Sequence, residues 1–375
     1  MKQSRCPSVV LCLLAFGAFS LVHRAHGADG PPAPSYHLTH EVALPGTEGW
    51  DYLVYDAGRR GGAGARDAAG GASDAAPRVF VSHGTRVQVL DGDKLSLLGE
   101  IADTPGVHGI ALAPDLGRGY ISAGRADLVV VFDLKSLARV TEIKVTGANP
   151  DAILYEPTTH RIFTFNGRGR NATAIDAVKN EVIGTLPLDA KPEFSVTDGA
   201  GHVFVNLEDK NSIAVIDPQK LTVLSVWPVE GCDEPSGLAI DVANHRLFTV
   251  CGNKVMAVVD STSGKVVAKL PIGGRVDAAS YDPTTHLAFA SCGDGTMTVV
   301  RESTPNDFAV VQTVTTKAGA RTMTLDERTH RVFLPTATAL PGTPAAPAAA
   351  AAPAAAAAPN APPPPRAFSL MEFAP

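Results

Sequence analysis

The sequence lacks the short motifs that carry most enzyme chemistry. It contains no Gly-x-Ser-x-Gly elbow, no His-Glu-x-x-His zinc motif and no phosphate-binding loop. It has only two tryptophans, so the tryptophan-docked blades of quinone-dependent dehydrogenases are not evident. Long amphipathic helical segments are absent as well, which excludes helical solenoids. These absences favour a non-catalytic binding protein over an enzyme.

An excess of positive charge is also missing. The 375 residues carry a formal net charge of −6. Residues 1–27 combine Lys2 and Arg5, the apolar run Val9–Val22 and a small-residue ending at Gly27, a pattern typical of a secretory signal peptide. Cleavage there would remove three basic residues and no acid, which takes the charge to −9. An acidic chain gains little from neutralising phosphates, so nucleic acid is not an expected partner.

Cysteine is scarce in the predicted mature chain, where only Cys232, Cys251 and Cys292 remain. We predict a periplasmic or secreted protein with no membrane span after cleavage, because the apolar run is short for a spanning helix. In an oxidising compartment the simplest allocation is a Cys232–Cys251 disulfide with Cys292 free. A thiolate metal site is the alternative, although no Cys-x-x-Cys spacing supports it.

A repeated phrase of short strands organises the rest of the chain. It is clearest at Asn149–Asp176, where two β-type runs flank a Pro-Thr-Thr-His turn and a glycine-rich loop leads to a third run. The phrase recurs every 41 to 44 residues, apart from one interval of 57. A period near 42 with several strands per repeat is typical of a β-propeller. The sequence therefore predicts an all-β, seven-bladed β-propeller.

Two compositionally biased segments interrupt the repeats. A Gly/Ala-rich stretch at residues 57–77 accounts for the long interval, and a Pro/Ala tract occupies residues 339–365. We predict both to be disordered inserts in a single propeller domain spanning residues 28–375. The last repeat has no fourth strand of its own, so the strand-like run Tyr36–Leu44 is expected to complete the last blade. That arrangement closes the ring and removes exposed sheet edges.

The stretch Val203-Phe204-Val205-Asn206, followed by Ser212–Asp217, resembles the YVTN β-propeller repeat. On these residues and on the seven in-phase copies, the chain resembles the secreted YncE-like seven-bladed propellers over residues 36–336 and 367–374. The resemblance implies the fold more strongly than any activity. It implies single-stranded DNA binding for some members, which the acidic charge of this chain disfavours.

One polar position recurs near the start of each repeat. The seven equivalent residues are Asp51, His108, Asp151, Glu193, Ser236, Asp277 and Arg321. Propeller geometry would place them in a ring at the top mouth of the central channel, where ligands usually bind. The alternatives are a polar wall that only binds water and a ring that holds a polar ligand or a cation. No cofactor is expected, and if the ring holds an ion, its oxygen-rich composition favours Ca²⁺.

Loops on the same predicted face add charge. The first three repeats supply His83, Arg125 and Arg168, together with Arg86 and Arg170, whereas the fourth supplies acidic residues. The alternatives are ordinary solvated loops and a site for an anionic group. By contrast, His160, His245, His286 and His330 recur in a tight turn on the opposite face. Repetition in a turn indicates a local structural role.

The leading hypothesis is a monomeric, non-catalytic propeller that binds a small polar ligand or a protein partner through its top face. The alternative is a Ca²⁺-assisted hydrolase or lactonase that uses the acid-rich rim with His108 as a base. The sequence does not identify the ligand or partner.

Overall fold

The computed structural model describes residues 35–58, 76–339 and 366–375. The predicted signal peptide, residues 1–27, lies outside this range, as do most of the predicted inserts at 57–77 and 339–365. The described residues form seven four-stranded antiparallel sheets. In each sheet the strands follow one another from the channel outward, and neighbouring innermost strands contact each other around a closed ring. The predicted seven-bladed β-propeller is therefore confirmed.

The strands are numbered in chain order, starting from β1 (His37–Ala43). Blade 1 comprises β2 (Trp50–Asp56), β3 (Arg78–His83), β4 (Arg86–Asp91) and β5 (Leu97–Ile101). Blade 2 comprises β6 (Val107–Ala113), β7 (Arg118–Ala123), β8 (Leu128–Asp133) and β9 (Arg139–Lys144). Blade 3 comprises β10 (Pro150–Glu156), β11 (Arg161–Asn166), β12 (Asn171–Asp176) and β13 (Glu181–Pro187).

Blade 4 comprises β14 (Pro192–Thr197), β15 (Val203–Leu207), β16 (Ser212–Asp217) and β17 (Thr222–Pro228). Blade 5 comprises β18 (Pro235–Asp241), β19 (Arg246–Cys251), β20 (Val255–Asp260) and β21 (Val266–Pro271). Blade 6 comprises β22 (Val276–Asp282), β23 (Leu287–Cys292), β24 (Thr296–Thr304) and β25 (Asp307–Thr315). The described residues also contain two single-turn 3-10 helices. Pro114–Leu116 joins β6 to β7 in blade 2, and Glu208–Lys210 joins β15 to β16 in blade 4. Within the described ranges, no helix is long and apolar enough to cross a membrane.

Blade 7 closes the ring as predicted. Its strands are β26 (Thr324–Asp326), β27 (Arg331–Ala339) and β28 (Arg366–Ala374), and β1 pairs antiparallel with β28 as the outermost strand. One bound differs from the prediction. The second strand continues to Ala339, a residue predicted to lie in the Pro/Ala insert, and the first strand is three residues long. The extension is possible because Ala339 pairs with Arg366 in the partner strand.

The core consists of seven apolar clusters, each shared by two adjacent blades. Middle strands such as β8 are buried on both faces and read as continuous apolar runs, whereas outer strands such as β13 alternate. One buried aromatic residue occupies the equivalent place in the second strand of every blade. These residues are Phe80, Tyr120, Phe163, Phe204, Phe248, Phe289 and Phe333. They fill the wedge-shaped spaces between the blades.

Candidate functional site

The innermost strands place the seven predicted rim residues at one end of the channel, which we call the top mouth. Six of them are the second residue of their strand, and Arg321 lies shortly before β26. In blades 1 to 6 the pairing register shifts at this position, for example between Trp50 and Leu53. Such β-bulges redirect side chains and are common next to functional sites. The bulges therefore aim a polar side chain from each of these blades into the mouth.

His108 connects three blades across one side of the mouth. Its Nδ1 lies 2.6 Å from Asp51 Oδ2 and 3.6 Å from Asp151 Oδ1. Burial acts to lower the pKa of His108, but the hydrogen bond with Asp51 and the charge of Asp151 outweigh it and raise the pKa. A Cβ atom at Gly124 would lie 2.8 Å from His108 Nε2, so this glycine keeps the other edge of the ring uncovered.

The chain of polar contacts continues around the opposite side. Ser236 Oγ donates to Asp277 Oδ1 at 2.9 Å, and Arg321 Nε donates to Asp277 Oδ2 at 2.6 Å. Arg321 also approaches Asp51 Oδ1 at 3.7 Å. Six of the seven rim residues are thus joined into one network, in which a change at one member is felt by its neighbours.

Glu193, the seventh rim residue, belongs to a separate pair of contacts. Lys191 Nζ lies 2.7 Å from Glu193 Oε1 and also contacts Glu208. Because the single positive charge of Lys191 is shared between two carboxylates, it does not fully balance the negative charge of the buried Glu193. Lys191 was not among the predicted site residues, although it lies two residues before Glu193, a predicted rim acid.

The carboxyl groups of the rim are held in an environment that disfavours their charge. Burial raises the pKa of Asp151, and the carboxylates of Asp51 and Asp277 add to this while His108 opposes it. Burial likewise raises the pKa of Glu193, with a further contribution from Asp151. Burial also raises the pKa of Asp277 despite its partner Arg321. The mouth is therefore short of positive charge, and a cation or a hydrogen-bond donor would relieve it.

Two aromatic rings, from residues that directly follow two rim positions, meet across the channel. Tyr52 of blade 1 and Phe194 of blade 4 stack with ring centroids 4.5 Å apart and an interplanar angle of 26°. The residues that follow the rim position in the other blades are small, namely Gly109, Ala152, Gly237, Ala278 and Thr322. This pair was not predicted from the sequence. The pattern that indicates it is that only two of the seven residues following the rim position, Tyr52 and Phe194, are aromatic.

Side chains of the second strands hold the rim backbone. Ser82 Oγ donates to the carbonyl of His108, and Ser122 Oγ donates to the carbonyl of Asp151, both at 2.5 Å. Asn206 Nδ2 donates to the carbonyl of Ser236 at 2.8 Å. In each case the donor belongs to the preceding blade. These bonds fix neighbouring blades to each other at the level of the site, which pre-organises the rim side chains.

The predicted basic side of the mouth is only partly available. His83 is buried, stacks on Phe368 at 4.1 Å and has Gln88 Oε1 3.3 Å from its Nδ1. Burial lowers the pKa of His83, with a further contribution from Arg86. Arg125 and Arg168 are exposed, and Arg168 donates to Asn149 Oδ1 at 3.1 Å.

The two other arginines of these loops are paired with acids. Arg86 lies 3.2 Å from Glu48 and 3.4 Å from Glu100, and Arg170 lies 2.6 Å from Asp209. These ion pairs reduce the positive field that an anionic ligand would meet.

Cys232 and Cys251 form a disulfide on the top face, with their Cα atoms 5.4 Å apart. Cys292 is free and buried, and burial raises the pKa of its thiol. Because two of the three sulfurs are bonded to each other, they do not offer thiolates to a metal. Carboxylates and imidazole remain as candidate ligands at the top mouth, where ligand atoms of Asp51, His108 and Asp151 lie within 4.8 Å of one another.

Comparison with solved structures identifies the class as β-propellers. A chain of Kuenenia stuttgartiensis hydrazine synthase matches with a TM-score of 0.61 at 17% identity, covering 68% of this chain and 88% of that chain. A chain of the mitotic checkpoint complex matches with a TM-score of 0.65 at 13% identity, covering 88% and 95%. U3-55K matches with a TM-score of 0.66 at 8% identity, covering 91% and 99%.

At these identities the likeness concerns the fold alone. No protein-family model matches the sequence, and neither does any curated protein. The resemblance of the repeats to the YVTN type stays a prediction.

Proposed function

We propose that this protein is a non-catalytic binding propeller whose top mouth receives a positively charged or hydrogen-bond-donating group. The group belongs to a small polar ligand or to a polar side chain of a protein partner. The observation that carries the proposal is the shortage of positive charge around the buried carboxyl groups of Asp151 and Glu193. A cation placed between them would replace protons that the folded chain otherwise holds.

The floor and the wall of the mouth support the same role. Tyr52 and Phe194 form an aromatic floor beneath the carboxylates, and aromatic faces attract cations. Hydrogen bonds between neighbouring blades hold the rim backbone, so little ordering is required when a ligand binds.

The experiment is a thermal-shift screen of small amines and Ca²⁺ at pH 8, followed by calorimetric titration of the compounds that bind. Asp151→Asn and Glu193→Gln keep the side-chain shape and remove the charge, so each should weaken binding at least tenfold. Glu181→Gln removes one exposed carboxylate from an outer strand and serves as the charge-matched control. Unchanged affinity in the Asp151→Asn, Glu193→Gln double variant would contradict the proposal.

The second candidate function is a metal-assisted hydrolase or lactonase. It is favoured by the convergence of Asp51, His108 and Asp151 within 4.8 Å, which combines candidate ion ligands with a base. Turnover of lactones and esters, measured with and without Ca²⁺, tests it. Metal-dependent turnover that is lost in both Asp151→Ala and Glu193→Ala would replace the binding interpretation with this one.

We also propose that the protein functions in the periplasm or as a secreted protein, as a monomer. The disulfide between Cys232 and Cys251 supports an oxidising compartment. Fractionation of cells that express the full chain tests the location, and light scattering of the purified protein tests the monomer.

A further inference from the structure

Four polar side chains of blades 5 and 6 meet at the face opposite the top mouth, which we call the bottom face. Asp241 ends β18, Tyr281 lies near the end of β22, His286 is in the turn that follows, and Glu302 is in β24. Tyr281 Oη lies 2.9 Å from Asp241 Oδ2, 2.7 Å from Glu302 Oε2 and 3.2 Å from His286 Nδ1. Ligand atoms of Asp241, His286 and Glu302 all lie within 4.8 Å of one another.

Glu302 is the unusual member of this group. The residue is 4% exposed, and its Oε1 atom is buried without a hydrogen-bond partner. A tyrosine hydroxyl donates only one proton, so Tyr281 does not donate to both Asp241 and Glu302 at once. A buried carboxylate oxygen without a partner is costly, and in native proteins such a group calls for an explanation.

The fold itself does not require an acid at this position. Glu302 donates its backbone N–H to the carbonyl of His286 at 2.9 Å, and the same bond links Ser261 to His245 and Ala177 to His160 at 3.0 Å. The equivalent residues in blades 5 and 3 are thus small. Blade 6 alone among these three carries a carboxylate there.

The neighbouring arginine is already engaged. Arg246 Nη1 lies 2.7 Å from Asp260 Oδ2, and its Nε donates to the carbonyl of Pro305 at 2.6 Å. Its guanidinium forms an ion pair with Asp260, and its charge also acts on Glu302 from a greater distance. His286 is the exposed member of the group, whereas Asp241 and Glu302 are buried.

We propose that Asp241, His286 and Glu302 bind a divalent transition-metal ion of the Zn²⁺ type on the bottom face. Two carboxylates and an imidazole form a mixed oxygen and nitrogen set, which suits Zn²⁺ better than Ca²⁺, since Ca²⁺ takes oxygen ligands. Three protein ligands leave one position of a tetrahedral ion for water or for a ligand. Tyr281 Oη lies within 3.2 Å of an atom of each of the three residues, so an ion bound among them would displace this hydroxyl.

The test is calorimetric titration of the full chain with Zn²⁺ in the Asp151→Asn background, which removes one of the three candidate ligands at the top mouth. One bound Zn²⁺ per chain is expected. Glu302→Gln keeps the side-chain shape, and His286→Asn keeps a residue that tolerates the positive φ of 54° at this turn. Each should weaken Zn²⁺ binding at least tenfold while the circular dichroism spectrum stays unchanged.

The matched control is His245→Asn, which changes the equivalent exposed histidine of blade 5, where Ser261 replaces the acid. Its Zn²⁺ affinity should equal that of the background. Either of two results would overturn the proposal: no Zn²⁺ binding in the Asp151→Asn background, or binding that Glu302→Gln and His286→Asn leave unchanged. The second result would indicate adventitious binding by other exposed histidines.

Discussion

The two ends of the central channel are built from the same seven strands but offer opposite chemistry. At the top mouth the strands begin with carboxylates, a histidine and an arginine joined in a network. At the other end β2, β6 and β10 line a cavity of about 410 Å³ whose walls are mainly apolar, with Asp56 and Tyr155 beside Val54, Ile110, Leu112, Ile153 and Leu154. The Tyr52–Phe194 pair lies between the rim and the apolar end. One ring of strands can therefore carry a charged surface at one end and a mainly apolar cavity at the other.

The difference between the two ends follows from where the pairing of each innermost strand with its neighbour is regular and where a bulge interrupts it. The bulge near the start of each innermost strand in blades 1 to 6 interrupts the alternation of side chains and directs polar residues inward. Beyond the bulge, regular pairing resumes, and apolar residues line the channel. We therefore expect changes at the top rim to act through charge and cross-links, and changes at the bottom turn of blade 5 to act through backbone conformation.

The largest effect is expected from the cross-link of the top loops. Changing both Cys232 and Cys251 to alanine removes a bond that closes a 19-residue separation. A loop of this length corresponds to about 3 kcal/mol of unfolding free energy. Chemical denaturation measures the loss. Reducing agent should destabilise the wild type by a similar amount and leave the double variant unchanged, and sensitivity of the double variant to reductant would contradict this assignment.

The aromatic pair gives the next largest effect. Phe194→Ala removes the ring that stacks on Tyr52 at 4.5 Å. Since Phe194 is half-buried, we expect a loss of about 2 to 3 kcal/mol in the free energy of unfolding, which is less than the loss of about 3 to 5 kcal/mol for a fully buried phenylalanine.

Tyr52→Phe is the matched control for the pair, because it keeps the stacked ring and removes only the hydroxyl. Its unfolding free energy should change by less than about 1 kcal/mol. If Tyr52→Phe proved as costly as Phe194→Ala, the hydroxyl and not the stacking would be what separates the two ends.

The rim acids predict how stability varies with pH. The pKa of Glu193 is raised to about 8 by burial and by Asp151. An acid with a raised folded-state pKa contributes stability that is full below its unfolded pKa, near 4.5, and is lost as pH rises through the folded pKa. The unfolding free energy should therefore decrease between pH 5 and pH 8.5. The share of Glu193 is about 1 to 2 kcal/mol.

The comparison of wild type with Glu193→Gln isolates this contribution, because all other titrating groups are common to both chains. The difference in unfolding free energy should grow in favour of the variant as pH rises from 5 to 8.5. A difference that does not vary with pH would show that the carboxyl of Glu193 titrates normally. Glu193 would then not lack positive charge around it, which contradicts the proposed role of the top mouth.

The sequence was sufficient for the propeller, its seven blades and the closing strand. The reason is that period and apolar runs are local properties repeated seven times, so an error in one copy is corrected by the others. The repeated rim position was also visible, because it keeps the same phase from Asp51 to Arg321. The contacts of these residues were not visible, since they depend on which blades face each other across the channel. The stacking of Tyr52 in blade 1 on Phe194 in blade 4 is an example.

His83 shows a second limit of the sequence. Its place in a predicted loop indicated an exposed basic group, yet it ends β3 and packs under Phe368, a residue from the far end of the chain. The closing of the ring, and not the local sequence, buries it.

The smallest effect is expected at His245, one of the four turn histidines of the bottom face. His160, His245, His286 and His330 all have positive φ, between 52° and 59°. This backbone region is costly for most residues but is tolerated by Gly, Asn and His. His245→Gly and His245→Asn should therefore change the unfolding free energy by less than about 0.5 kcal/mol, whereas His245→Val, with its branched Cβ, should cost about 1 to 2 kcal/mol.

His108 provides the contrast at the top mouth, because its partner Asp51 is 2.6 Å away and its role depends on the imidazole. His108→Asn should weaken binding of a cationic ligand or alter its pH dependence, while His245→Asn should leave both unchanged. Unfolding measurements on the His245 variants and ligand titration of His108→Asn together test whether His245 serves the backbone conformation of the turn and whether His108 acts through its imidazole ring. Equal tolerance of valine and glycine at position 245 would show that the turn does not select the residue.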